Sequence, residues 1–207
     1  MAKLFDKITG TTTSYDSDGI TDSSAAWTVD YYKDWYVTIN NIEYLITSNT
    51  ATTLSFSNSL TADKTYEISF VTRKYLEQLE SDIANTTKIP NNLIDKKYNQ
   101  ANFDISNKIF AYLRGLYKND FDPLANIANL TMMQQSFGYY LLAKIYQDLM
   151  IDQESFEGFK GYNMYEKSYI DGVKDSLALL QIDLNGDGNI SADEKSQSVS
   201  TYSFLSR

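Results

Sequence analysis

The sequence predicts an α+β chain, with a small N-terminal antiparallel β domain, a helical domain after it, and an extended C-terminal arm. Three observations carry this. From Thr11 to about Phe70 the chain is rich in Thr, Ser, Asn and Tyr and alternates polar with apolar residues. Near Val71 the hydrophobic period lengthens from that of a strand to that of a helix. The final stretch, "SQSVSTYSFLSR", follows neither period closely. The expected divisions are 1–70 for the β domain, 71–182 for the helical domain, 183–194 for an acidic loop and 195–207 for the arm.

Within the β domain, Val37 and Ile39 share one strand face, and after Asn40-Asn41 the alternation resumes with Ile42, Tyr44 and Ile46. That is a hairpin with one buried side. Leu54 and Phe56 repeat the pattern after "TSNTATT", and Tyr66, Ile68 and Phe70 close it. Four helical stripes follow: Leu76, Leu79 and Ile83, ended by Pro90 and Asn91-Asn92; then Ile105, Ile109, Tyr112, Leu113 and Leu116. Met133, Phe137, Tyr140, Leu141, Ile145 and Leu149 make the third, and Tyr169, Val173, Leu177 and Leu180 the fourth. These stripes read as core, and "KNDFDPLAN" and "QESFEGFKGYN" read as short polar links between packed helices. The arm is either an unordered end or a strand added to a neighbouring subunit's sheet.

Composition removes whole classes of chemistry. With no cysteine there are no disulfides or thiolate metal sites, and with no histidine there are no Ser-His-Asp or Cys-His centres and no ordinary zinc sites. No glycine-rich phosphate loop or nucleophile elbow occurs either, so the chain reads as a non-enzyme. A net charge of −9 argues against a protein that grips nucleic acid by neutralising phosphates. The basic pairs Arg73-Lys74 and Lys96-Lys97 read as solvated helix faces. No apolar run is long enough to span a membrane, and "MAKLFDKITG" lacks the apolar core of a secretory signal, so the chain is expected to be cytosolic where it is made. The 17 tyrosines suit surfaces buried between subunits, and equally suit strands.

The sharpest motif is "DLNGDGNISADE". An EF-type calcium loop asks for oxygen donors at positions one, three and five, a glycine at six, a backbone carbonyl at seven, a donor or water at nine and a bidentate acid at twelve. Asp183, Asn185, Asp187, Gly188, Asn189, Ser191 and Glu194 meet every requirement, and Ile190 supplies the inward apolar residue at position eight. Asp183, Asn185, Asp187, Asn189, Ser191 and Glu194 are therefore the expected metal ligands, with calcium as a structural ion. The loop stands alone, without the second loop of a paired sensor, and "YDSDGITDSS" lacks the spacing and terminal glutamate and reads as a turn. A solitary loop suits a clip that orders the junction between last helix and arm.

The helical segments "NQANFDISNKIFAYLRGLY", "DPLANIANLTMMQQSFGYYLLAKIYQDL" and "YEKSYIDGVKDSL" resemble the helical head-to-tail connector, or adaptor, family of tailed bacteriophages. The family's usual Arg-Tyr ending of the first segment is here Gly-Leu-Tyr, with the nearest arginine at Arg114. The stretches "DGITDSSAAW", "DYYKDWYVTI", "YLITSNTATTLSF" and "DKTYEI" look like a small β module recurrent in phage virion proteins. The resemblance implies a structural subunit of a homo-oligomeric ring, commonly twelvefold, at the head-tail interface of the virion. Its partners would be the portal protein and neighbouring tail or collar proteins, with genomic DNA passing through without sequence-specific binding. It implies assembly in the host cytoplasm. The competing expectation is a calcium-stabilised module on a virion or cell surface, whose β domain binds carbohydrate or protein through exposed tyrosines and tryptophans such as Trp27 and Trp35.

Overall fold

The structure, a computed structural model, describes residues 3–57, 65–117, 126–153, 156–183 and 191. Over these residues it is α+β: strands first, then the four α-helices described below. The chain divides into two compact units, Phe5–Thr72 and the described residues of Met1–Leu4 with Arg73–Arg207. Leu4 thus belongs to the helical unit, where its N–H donates to the Ser106 hydroxyl at 2.9 Å.

The β unit holds two four-stranded antiparallel sheets. The first runs in the order β1 (Ile8–Thr11), β8 (Thr65–Ser69), β4 (Tyr36–Ile39), β5 (Ile42–Leu45). The second runs β2 (Ser14–Asp16), β3 (Gly19–Thr21), β7 (Thr53–Ser55), β6 (Ser48–Asn49). The hairpin at Asn40-Asn41 forms as the sequence predicts: both residues take left-handed backbone, φ 52° and 63°, the combination that matches the twist of the strands it joins. Val37 pairs with Ile68 on one side and Tyr44 on the other, so one face of the sheet carries the core. Ile42 departs from the expected inward alternation and is 55% exposed, because it sits at the tip of an edge strand. "YDSDGITDSS" is a turn between two short strands, β2 and β3. Gly19 is required there, since a Cβ would collide with the Leu54 carbonyl across the β3–β7 pair.

The core of this unit is aromatic. Trp35 lies 4.9 Å from Phe70 and 5.2 Å from Tyr32, and Phe5 stacks on Phe70 at 4.6 Å. The buried Asn49 holds the Thr28–Trp35 segment in place: its Oδ1 accepts from the Tyr32 N–H at 2.9 Å and its Nδ2 donates to the Thr28 carbonyl at 2.8 Å.

In the helical unit, helix α1 (Arg73–Leu79) stops short of the expected stripe. Glu80 then caps a 3-10 turn over Ser81–Ala84, which still delivers Ile83 to the interior. Helix α2 (Asn91–Tyr117) begins just past Pro90 and buries Ile94, Tyr98, Ala101, Ile105, Ile109 and Leu113 along one side. A 3-10 turn over Leu130–Met133 leads into α3 (Gln134–Gln153), and α4 (Phe156–Ala178) follows. Helix α3 is central: Phe137, Leu141, Leu142, Ile145 and Tyr146 are all buried, covering more than one face.

"QESFEGFKGYN" is not the predicted link, since from Phe156 onward it is helix. Its glycines let α4 approach α3 where a side chain could not fit. A Cβ on Gly158 would come within 2.6 Å of the Met150 backbone nitrogen, and one on Gly161 would strike the Tyr146 ring. "KNDFDPLAN" lies outside the described residues save Asn126. Two basic residues also differ from expectation. Lys97 is buried and pairs with Asp148 of α3 at 2.5 Å, while Arg73 donates to the carbonyls of Ile83 and Ile89 and to the Asn91 side chain, bracketing the turn that follows α1. Long aliphatic stems let both cations leave the solvated face assigned to them. Among the described residues six tyrosines, 32, 66, 98, 146, 165 and 169, are buried within the chain.

Candidate metal centre

Helix α4 ends by tightening: the Leu179 N–H donates to the carbonyls of Asp175 and Ser176, and the Leu180 N–H to that of Leu177. The chain then runs extended and pairs antiparallel with the segment before the 3-10 turn at Leu130–Met133. The Ala128 N–H donates to the Gln181 carbonyl at 3.0 Å and the Asp183 N–H to the Asn126 carbonyl at 2.8 Å. Between these bonds Ile127 faces Ile182, and both are buried. Two asparagines close the ends. At one, Asn126 Nδ2 donates to the Asp183 carbonyl at 2.5 Å. At the other, Asn129 Oδ1 accepts from the Gln181 N–H at 2.6 Å while its Nδ2 donates to the Leu179 carbonyl at 2.9 Å.

Asp183, the first expected ligand, therefore leaves this clasp with both its backbone groups bonded to Asn126, and the residue is 4% exposed. Ser191 is exposed. Asn185, Asp187, Asn189 and Glu194, together with the expected arm 195–207, lie outside the described residues. The six predicted donors are all oxygens, four of them from carboxylate or amide side chains of types that hard cations select, and so the set fits calcium. Among the described residues no group of three or more acidic side chains gathers that could hold a metal ion.

Sequence reasoning missed four polar clusters. In the β unit the buried Asp22 accepts from the Ser24 hydroxyl at 2.6 Å and the Tyr66 hydroxyl at 2.7 Å. Those bonds hold its carboxyl below the ordinary 3.8, and burial with the carboxylate pushes the Tyr66 phenol up. In the helical unit Tyr140 donates to Asp104 at 3.0 Å, Lys144 approaches the same carboxylate at 3.7 Å, and Lys108 lies over the rings of Tyr140 and Tyr169. The Tyr169 hydroxyl is buried without a hydrogen-bond partner, and burial pushes it up to about 12. Tyr165 donates to Glu80, tying α4 to the break after α1. Lys97–Asp148 is the fourth. Each shifted phenol stays protonated near neutral pH, so these hydroxyls act as donors that hold carboxylates and not as bases. The spacing Asp104–Lys108 and Tyr140–Lys144 was a signal, since each pair shares a helix face, but nothing in the sequence says that the two faces meet.

The tryptophans expected at an exposed binding face are in the core, Trp27 at 8% and Trp35 at 1% exposure. Ring area of that size is worth more buried than held in water, and both rings pack among the other buried aromatics of the unit, Trp27 against Tyr32 and Tyr66 and Trp35 against Tyr32 and Phe70. The groove that crosses Thr9, Thr38 and Glu67 towards Asn40-Asn41 is lined by hydroxyls and amides, and its carboxylate is already paired with Lys7 at 2.9 Å. Among the described residues no helix is long and apolar enough to cross a membrane. Comparisons with protein-family models, with curated proteins and with solved structures find no significant match to this chain.

Proposed function

We propose that the chain is a non-catalytic subunit of a tailed-bacteriophage virion, one copy in a homo-oligomeric ring between portal and tail. Assembled in the host cytoplasm, the ring would sit at the head-tail interface and let genomic DNA through. The observation that carries this reading is the apolar surface of the helical unit, the part whose segments resemble connector proteins. Phe103, Ile151, Phe159, Met164 and Ile170 are 40–64% exposed there. Side chains of this size favour removal from water, and a head-to-tail contact between unlike faces closes into a ring when its rotation fits. The chain's net charge of −9 suits a DNA conduit, because an acidic wall repels the passing phosphates and does not hold them. Calcium at Asp183, Asn185, Asp187, Asn189, Ser191 and Glu194 would act structurally, fixing the direction in which the arm 195–207 departs towards a neighbouring virion protein.

The test is native mass spectrometry and electron microscopy of the purified chain, alone and with a candidate portal. A ring-sized homo-oligomer, formed alone or on the portal, supports the proposal. The paired change Phe159→Ser and Ile170→Ser should then disperse the ring while leaving helical circular dichroism intact. A chain that stays monomeric at high concentration and ignores the portal overturns it.

A further inference from the structure

We infer that the β unit carries a saccharide-binding groove on its first sheet, with Glu67 as the acceptor for hydroxyls of a neutral sugar. The inference is independent of the ring proposed above, since every residue it uses lies within Phe5–Thr72. The groove crosses β1, β8 and β4, reaches the Asn40-Asn41 turn and has a volume of about 610 Å³. Clefts that hold small molecules run from about 300 to 1,000 Å³. Glu67 pairs with Thr9 on one neighbouring strand and with Thr38 on the other, so the three side chains form a row on one face of the sheet. Three adjacent strands span about 9–10 Å, roughly the length of two linked sugar rings.

The lining is set before any ligand arrives. Lys7 Nζ and the Ser69 hydroxyl both donate to Glu67 Oε1, at 2.9 Å and 3.0 Å, which leaves Oε2 without a partner among the described residues. A carboxylate held through one oxygen can accept from a ligand with the other and lose little further freedom. Thr9 and Thr38 are β-branched and stiff at χ1, and the two turn asparagines sit in a tight hairpin with left-handed backbone. Hydroxyls and carboxamides each donate and accept, the mixture that a ring bearing many hydroxyls requires. Other ligand classes fit less well. Among the described lining residues Glu67 carries the one charge, and Lys7 offsets it, so an anion would meet no cation to spare. The ring in that lining, Tyr66, is 4% exposed, which gives a lipid or an apolar peptide little to rest on. Without an open ring face for stacking, sugar binding should be weak, with a Kd on the order of 1 mM.

Amide NMR of the full chain tests this, by titration with glucose, galactose, mannose, N-acetylglucosamine, maltose, lactose and cellobiose, and with glycerol as a control polyol. At least one sugar should shift the amides of Thr9, Thr38, Asn40, Asn41 and Glu67 saturably, and glycerol should not. Glu67→Gln keeps the side chain's size and removes its charge; it should raise the Kd for that sugar by about tenfold, since hydrogen bonds to an ionised acceptor are the stronger kind. Thr38→Val keeps the shape, removes one hydroxyl and should weaken binding severalfold with Tm little changed, which supplies a second reading should Glu67→Gln fold poorly. The inference is overturned if no sugar saturates, if the shifts scatter beyond the groove, if glycerol reproduces them, or if the folded variants bind as the wild type does. Native mass spectrometry of Glu67→Gln keeps this result apart from the ring reading, because the substitution should leave the oligomeric state of the chain unaltered.

Discussion

The β unit turns its largest rings inward, stacking Phe5, Trp35, Phe70 and Tyr32 around one centre, and ties the buried Asp22 carboxylate to Ser24 and Tyr66 from the same unit. The helical unit also has a dense interior around α3, but it leaves Phe103, Phe159 and Met164 about half exposed and spans its helices with ion pairs and tyrosine–carboxylate bonds. The contrast teaches where each unit's stability is spent. The β unit leaves only aliphatic groups such as Val29, Ile42 and Leu45 about half exposed or more and spends its large rings on the interior, whereas the bundle, with a full central helix, keeps phenylalanines outside as well. Surface kept apolar in this way is where further burial has most to gain.

Both tryptophans lie in the β unit, so fluorescence reports on it, while far-ultraviolet dichroism is dominated by the helices; the pair of probes can break the comparison. The largest effect is expected for Trp35→Ala, which should destabilise the fluorescence transition by about 3–5 kcal/mol, the usual cost of emptying a buried aromatic site. A dichroism transition shifted equally would mean the two units unfold as one. Next is Lys97→Ala, which leaves the Asp148 carboxylate without its cation; because Asp148 is 21% exposed, we expect roughly 2 kcal/mol, below the 3–5 of a fully enclosed pair, read in the dichroism transition under urea.

A smaller effect is expected of acid on the β unit. The bonds from Ser24 and Tyr66 lower the Asp22 carboxyl in the folded state below 3.8. The stability they add is complete above that value and disappears as pH falls through the lower folded one. Comparing fluorescence midpoints in urea at about pH 6 and about pH 3, wild type should lose more than Asp22→Asn; equal losses would show that Asp22 contributes nothing to acid unfolding. Smallest is Tyr169→Phe, which removes a buried hydroxyl that has no partner: Tm should stay level or rise, since an unsatisfied buried group costs about 1–3 kcal/mol. A clear fall in Tm would show that the hydroxyl is bonded after all.

What the sequence made legible was local. Alternation around Asn40-Asn41 and the stripes of α2, α3 and α4 follow from periods of two and 3.6, which each segment carries within itself. What it hid depended on partners remote along the chain. Gly158 and Gly161 look like a loop until Met150 and Tyr146 are set against them, and Lys97 looks solvated until Asp148 faces it. Of the candidate metal centre, the ligand types and spacing could be read directly, because the twelve-position loop is a contiguous motif. The grip of Asn126 on Asp183 could not, being a contact between segments 57 residues apart.

The bond from Leu4 to Ser106 spans 102 residues, and this sets a schedule for the nascent polypeptide. On the ribosome Leu4 emerges long before its docking site on α2 exists, so it must wait while the strands behind it are made. By the time Ser106 appears, Phe5–Thr72 has been synthesised whole and can have folded as a bead on the thread. Seating Leu4 is then among the late steps of maturation, one that completes the helical unit after the strands directly behind Leu4 have already been made.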